Sequence, residues 1–590
     1  MKLSKLYCNQ AFHNITFITN KGGLNVILGD AKDLKDGTNQ HCLGKSKLAE
    51  LLDFMLLKGA KDLFFYKEIN KLTFTKYEFY LEILLNNGQF LTIKRTVESP
   101  TKIAFKLHNA ASEGYILYEN FDETFAFDKG KIYLNDLLGF DFCKETQEDF
   151  RRLVNYSLRT QGDYEPRMNT LFQLRKFAKN KDKDWKPLLF SLLGFDGNIL
   201  RKKYELEDSI KIGNSTIKAQ EKDFGIKAED KDLLVGKIQN AETEKEKISK
   251  ELASFNFYEQ DKQTIHKLVG TIEEEISALN TYLYQVEYDI KKLNDAIKND
   301  FSFDLNRVKS LFEEVALYFP EQLSQSYEQL IQFNHQITQE RNAQVRQTLQ
   351  EKQQEQRKIN SKLIDLNKQK EQFTQLIQDT SLFKKYAIYQ KKIVEIEKDL
   401  SRFQTQVEAV EEMEKRREGL EEIQKNDLQE VKNQLKEIVD NTAKCALYMN
   451  IRKTFSEIAK QVLHEDAIII IKLNANYNIE FKPEFLDSAK HDGATYYKIL
   501  CVAFDLAVLI NYRDKSHFRF VYHDDVISGD DNGVKTRLIA VVRGICEKHD
   551  IQYIFSAIKD NIPPSQDLEN DIILRLDNKT DEGKLFKMTF

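Results

Sequence analysis

The 590-residue chain is poor in residues that break regular structure. Its 7 prolines and 23 glycines are too few for a collagen-like, mucin-like or proline-rich disordered protein. No apolar run approaches the roughly 18 residues needed to cross a bilayer. The densest, Ala467 to Ile471, is long enough only for a strand. The start Met1-Lys2-Leu3 leads into no signal-peptide hydrophobic segment, so a soluble, cytoplasmic chain without membrane partners is expected. The 6 cysteines (Cys8, Cys42, Cys143, Cys445, Cys501, Cys546) are scattered, and no pair has the two-residue spacing of a zinc or redox motif. Positive charge is not in excess either: 88 Lys and Arg face 93 Asp and Glu, for a net charge of −5. Nothing global therefore marks a nucleic-acid binder, although a local basic surface remains open.

What the chain has in plenty is charge, 31% of residues against 41% apolar. Such a balance calls for long polar helices rather than the four or so globular units that ~150 residues per domain would give. The two ends do read as globular, mixed α and β. Asn25 to Leu28 is a strand ending at Gly29, and Tyr77 to Leu85 pairs with Gln89 to Val97 across the turn Asn86-Asn87-Gly88. After Gly194 the pattern changes. Ile265, Val269, Ile272, Ile276, Leu279, Leu283, Val286, Ile290, Leu293 and Ile297 alternate steps of four and three, the mark of a coiled-coil seam. A second seam runs through Ile359, Leu363, Leu366, Lys370, Phe373 and Ile377, then Ile396, Leu400, Phe403, Val407 and Val410. If the two pair antiparallel within one chain, the turn falls midway, at about residue 321, and Pro320 stands there. The seam phase is lost near Ala253 to Tyr258, which predicts a bend. The same heptads would also build an intermolecular rod with unrelated ends.

The ends carry complementary chemistry. After the strand at Gly29 comes Asn39-Gln40-His41-Cys42-Leu43-Gly44-Lys45-Ser46, then an apolar helix from Leu48 to Leu57. A phosphate-binding loop needs inward N–H groups, a helix N-terminus, a Lys for the β/γ charge and a hydroxyl for Mg²⁺. Gly44, Lys45 and Ser46 meet that need, while Asn39 stands where the first glycine of the pattern belongs. Near the other end, Phe518 to His523 reads as a buried strand running into Asp524-Asp525, followed by a helix from Val534 to Lys548 and a strand from Gln552 to Phe555. Asp524 suits Mg²⁺ and Asp525 suits the attacking water. An acidic, solvent-facing turn is the plainer alternative. A hairpin coil would bring residue 45 and residue 524 into one head.

With these motifs in place, the sequence resembles the SMC-type coiled-coil ABC ATPases, in which ATP is sandwiched between two heads and the arms embrace DNA. The resemblance implies an α/β ABC-type head assembled from N- and C-terminal lobes, with a long antiparallel coiled-coil hairpin inserted between them. The lobes would be 1–195 and 447–590, the ascending arm 196–299, the tip 300–330 and the descending arm 331–446. It also implies ATP and Mg²⁺ as cofactors and a homodimer through the heads. Gln161, in Leu158-Arg159-Thr160-Gln161, is similar to the family's Mg²⁺-touching glutamine. Asp531 falls where a loop meets the facing subunit. Gly493, before the apolar helix Ile499 to Leu509, is the match to the signature loop that completes the opposite ATP site, although the usual serine-glycine-glycine run is absent and a helix-capping loop is an alternative.

Two further departures bear on rate. Asp525 replaces the family's glutamate, and Ser556-Ala557 stands where a switch histidine belongs. Slow or partner-dependent hydrolysis is therefore expected. The combination of Asn39 to Ser46, Tyr496 to Ile499, Phe504 to Ala507 and Tyr522 to Asp524 looks most like the SMC-like subunits of Lamassu-type anti-phage and anti-plasmid systems. That likeness implies DNA, a nuclease effector and accessory subunits as partners. A repair ATPase working with a nuclease and a nucleotide-binding coiled-coil scaffold remain the alternatives.

Overall fold

The computed structural model describes residues 1–20, 22–30, 43–59, 63–164, 171–173, 181–227, 229–253, 259–298, 325–375, 381–486, 494–529 and 531–589. Asn39, Gly493, Pro320 and most of the expected tip at 300–330 lie outside them. One compact unit contains Met1–Tyr204 and Val431–Phe590, and a second contains Glu205–Leu305 and Phe333–Glu430. Among the described residues no helix is long and apolar enough to cross a membrane.

In chain order, the strands of the first unit begin with β1 (Lys2–Cys8), β2 (Ile15–Thr16), β3 (Leu24–Asp30), β4 (Glu78–Leu84), β5 (Phe90–Thr96), β6 (Lys102–His108) and β7 (Glu123–Ala126). They continue with β8 (Leu158–Arg159), β9 (Ala467–Leu473), β10 (Ile479–Phe485), β11 (Phe520–His523), β12 (Gln552–Ile558) and β13 (Ile572–Asp577). The helices that bear on the site are α1 (Lys45–Met55), α2 (Phe150–Ser157), α3 (Ala494–Asn511) and α4 (Asn532–His549).

The six-stranded sheet has the order β2-β1-β4-β5-β6-β7 and is antiparallel throughout. Its β4–β5 pair is the hairpin expected from the turn residues, with Gly88 at φ 89° where a side chain would strain the backbone. The five-stranded sheet has the order β13-β3-β12-β11-β8, and every pairing in it is parallel. Parallel strands are covered on both faces, which is why β11 and β12 are nearly continuous runs of buried residues rather than alternating ones. β3 and β8 come from the N-terminal segment, and the other three strands come from the C-terminal one. The two chain ends thus share a single sheet, and its register brings Gly29, Arg159, His523 and Ile558 toward one edge. In open α/β sheets that edge, at the carboxyl ends of the strands, is where ligands bind.

The second unit is helical, and its outgoing and returning helices meet in reversed order. Ile217, Ile226 and Leu234 pack with Ala409, Val410 and Met413. Ile248, Leu252 and Val269 pack with Tyr386, and Ile276 and Val286 with Ile359, Leu363 and Leu366. The two heptad seams therefore face one another antiparallel within the chain, so these residues need no second copy to bury them. Ion pairs such as Lys245–Glu397 (2.8 Å) and Lys370–Glu273 (2.9 Å) flank the seam. Arg416 and Arg417 in the basic run 415–417 are taken up by Glu412 and Glu221, as on a solvated coil face. One helix ends at Ala253 and the next starts at Glu259; residues 254–258, where the bend is expected, lie outside the described residues. A π-helical turn, Ile423–Leu428, interrupts the returning arm.

Candidate nucleotide site

The site grows from the start of α1. Gly44 caps this helix in the left-handed region at φ 89°, turning the chain so that Lys45 and Ser46 enter the first helical turn with their N–H groups unpaired by the helix. These are the groups that meet an anion at a helix N-terminus. A Cβ at position 44 would lie 2.8 Å from the Leu585 Cβ. Gly44→Ala is accordingly expected to cost about 1–2 kcal/mol from the left-handed backbone alone, seen as a fall in the thermal unfolding midpoint of the full chain.

The opposite end of α1 is held by two buried arginines. Arg151, on α2, donates to the Leu56 carbonyl (2.8 Å) and forms a 2.7 Å ion pair with Asp53. Arg95 donates to the carbonyls of Phe54 and Lys58 and stacks 3.7 Å over the Phe54 ring. Cations at the helix C-terminus complement its dipole, and the last carbonyls find their donors. The helix is thereby fixed with its positive end toward the cleft.

That cleft, of about 330 Å³, is lined by Gly44, Lys45, Ser46, Gln161, Asp524 and Asp525, among others. Asp524 and Asp525 leave the end of β11, and Gln161 follows β8, the adjoining strand. Asp525 adopts φ 54°, a strained turn for a residue with a side chain. Its Oδ2 accepts a 3.2 Å hydrogen bond from Gln161 Nε2. Ser556, on β12, ties the acidic pair down: its hydroxyl donates to Asp524 Oδ1 (2.5 Å) and accepts from the Asp525 N–H (3.0 Å).

Electrostatics in the cleft are finely opposed. Burial raises the Asp524 pKa and the neighbouring Asp525 adds to this, while hydrogen bonds from Ser556 and Ser46 and the charge of Lys45 pull it down. Burial also lowers the pKa of Lys45, against the attraction of Asp525 and Asp524. Both are groups whose charged forms are incompletely compensated, the usual condition of a binding cleft. Asp524 Oδ2 and Asp525 Oδ1 are buried without a hydrogen-bond partner. The orphaned Asp524 oxygen, the Ser46 hydroxyl within hydrogen-bonding reach of Asp524 and the Gln161 amide oxygen form an all-oxygen donor set that fits Mg²⁺. Among the described residues no group of three or more His, Cys, Asp or Glu is placed to hold a metal ion.

Of the residues singled out by sequence, Gly44, Lys45, Ser46, Gln161, Asp524 and Asp525 lie together in this cleft. Asp531 does not line it; its side chain caps α4 by accepting from the Gly533 N–H (3.0 Å). Asn39 and Gly493 are outside the described residues. Ser556, which stands where the resemblance calls for a switch histidine, contacts both aspartates. Lys584, Leu585, Phe586, Met588 and Thr589 also line the cleft, and no motif announced them.

Residues 458–590 match a family described as an uncharacterised protein conserved in bacteria, DUF2326. Over 610 residues the chain is 20% identical to the uncharacterized protein YydD of Bacillus subtilis (strain 168), covering 97% of this chain and 96% of that one. The SMC head domain with coiled coil and joint from Pyrococcus yayanosii is similar at 13% identity, covering 99% of this chain and 96% of that one, with a TM-score of 0.34. The SMC head with an extended coiled coil from Pyrococcus furiosus, solved with the C-terminal domain of ScpA, is similar at 11% identity, 95% and 90% coverage and a TM-score of 0.33.

Proposed function

We propose that this chain is an SMC-like ATPase, with lobes 1–195 and 447–590 forming one head and the arms 196–299 and 331–446 joined at a tip spanning 300–330. The observation that carries the reading is the convergence of residues from opposite ends of the chain, Lys45 and Ser46 with Asp524, Asp525 and Gln161, around one cleft. The N–H groups at the start of α1 and the Lys45 ammonium receive the β- and γ-phosphates. Ser46, Asp524 and Gln161 would hold Mg²⁺, which when bound supplies charge neutralisation at the phosphate oxygens. Asp525 orients the attacking water and accepts its proton, and Ser556 keeps the Asp525 backbone in place. Gly493 and Asp531 complete the ATP site of a second head, so that nucleotide binding engages two copies.

The motif resemblance supports the finer parts of the proposal. DNA is held by Lys and Arg contacts to its backbone that weaken with salt, and head engagement is passed to a nuclease effector and accessory subunits in anti-phage or anti-plasmid defence. The test of the core reading is equilibrium binding of ATP with Mg²⁺ to the full chain. Lys45→Ala is expected to weaken binding by roughly 10- to 100-fold, the loss of a charge-assisted contact. Equal affinity in Lys45→Ala and wild type would overturn the site.

A further inference from the structure

The strand order sets a direction along the cleft. α1 follows β3; the acidic pair and Gln161 follow β11 and β8, on one side of β3, and β13 is its neighbour on the other side. A nucleoside triphosphate whose phosphates sit at the start of α1, with the terminal one toward Asp525, must therefore extend its nucleoside toward the segment that follows β13.

That segment is already seated there. The Leu585 N–H donates to the Leu43 carbonyl (3.1 Å), and the Leu585 carbonyl accepts from the His13 N–H (3.0 Å), clamping the backbone beside the phosphate loop. Phe586 is buried among aromatic rings, with centroids 5.4 Å from Phe12, 5.5 Å from Phe64 and 5.2 Å from Phe74. With those two residues as anchors, Lys584, Met588 and Thr589 are presented on the cleft wall. Lys584 Nζ is held by Asp581 Oδ1 (2.6 Å) and bonds the Thr589 hydroxyl, which also donates to Asp581 (2.7 Å). This small network stiffens the turn that carries Met588, whose side chain is partly exposed beside Tyr77.

We propose that residues 584–589 form the nucleoside-facing wall of the cleft, with Met588 packing against the sugar and base and Thr589 contacting the ribose hydroxyls. The proposal rests on the nucleotide reading above and deepens it: α1 and Lys45 select for phosphate, and the 584–589 segment selects for what the phosphate is attached to. Phe586 and Leu585 hold this wall but do not recognise the ligand, because both are buried in the protein's own core. A partly exposed thioether gives apolar contact without demanding one exact shape, as suits a base and sugar edge.

The experiment is calorimetric titration of the full chain with ATP, ADP and inorganic tripolyphosphate, each with Mg²⁺, for wild type, Lys45→Ala, Met588→Ala and Thr589→Ala. Thermal unfolding midpoints close to that of wild type certify the fold of the last two variants. Met588→Ala is expected to weaken ATP and ADP alike by about tenfold and to leave tripolyphosphate unchanged. Thr589→Ala should act in the same direction with a smaller factor, whereas Lys45→Ala should weaken all three ligands. If Met588→Ala and Thr589→Ala bind ATP as wild type does while Lys45→Ala does not, or if they weaken tripolyphosphate as much as ATP, the nucleoside wall is refuted and the phosphate site stands. Wild type that binds none of the three ligands refutes both.

Discussion

Replacing Asp525 by asparagine is expected to lower steady-state phosphate release by about two to four orders of magnitude, the range for loss of a positioned general base, while leaving ATP affinity close to that of wild type. The reason is geometric. The Asp525 carboxylate is the one group in the cleft with a buried, unpartnered oxygen and a second oxygen held by a neutral amide, Gln161 Nε2. Asp524 is different: its Oδ1 already accepts from the Ser556 hydroxyl and its remaining oxygen is the one assigned to Mg²⁺, so it is the poorer candidate to collect a proton from water. Asparagine keeps the volume and the backbone but presents an amide in place of a basic oxygen. Ser556 should still accept from the residue 525 N–H, so the fold of the turn is retained. Phosphate release measured at saturating ATP, with and without DNA, checks this. If wild type and Asp525→Asn release phosphate at the same residual rate, Asp525 is not the base, and a nucleotide-binding scaffold becomes the better description.

The two halves of this site are legible in the sequence to different degrees. Gly44-Lys45-Ser46 is readable because phosphate binding restricts the residue types and because a strand precedes and a helix follows the triplet. Asp524-Asp525 is readable because an apolar strand of the buried, parallel kind runs straight into two acids. The coil seams declare themselves by period, but the period fits an intermolecular rod as well, and only the packing of the outgoing residues against the returning ones in reversed order decides between the two. Ser556 and the 584–589 segment are not readable in this way. A serine on a buried strand has no pattern, and its role depends on the parallel register that sets β12 beside β11. Lys584 to Thr589 reach the cleft only because β13 flanks β3, a long-range pairing that no local period encodes. Arg95 and Arg151 are equally silent: in the sequence they are ordinary charges, and only burial against the end of α1 gives them their function.

The largest loss of stability is expected at a residue that touches no ligand, Asp505. It is the only charged side chain of α3 from Ile499 to Leu509, a stretch buried on all sides. Burial there opposes the charge of Arg159, but the Asp505 carboxylate, with Cys501 and Asp163, more than offsets it and raises the guanidinium pKa. The pair is bidentate, with Arg159 Nε and Nη2 donating to the two Asp505 oxygens at 2.5 and 2.7 Å. Asp505 Oδ2 also meets His523 Nε2 (3.0 Å), and His523 Nδ1 meets the Tyr553 hydroxyl (2.8 Å). One carboxylate thus links β8 just before Gln161, β11 just before Asp524, and α3 just after Gly493. Asp505→Ala strands a buried guanidinium and should cost about 3–5 kcal/mol in denaturant unfolding. Removing both charges with apolar residues, Arg159→Met with Asp505→Leu, should recover most of that loss, since the penalty comes from the unpaired charge rather than from the missing attraction. His523 adds a pH signature. Burial holds its pKa below the ordinary 6.5 despite the bond to Asp505, so its contribution is complete above about pH 6.5 and declines as the pH falls toward the folded value. Asp505→Ala within about 1 kcal/mol of wild type, a value typical of exposed pairs, would show that the network does not hold these three elements together.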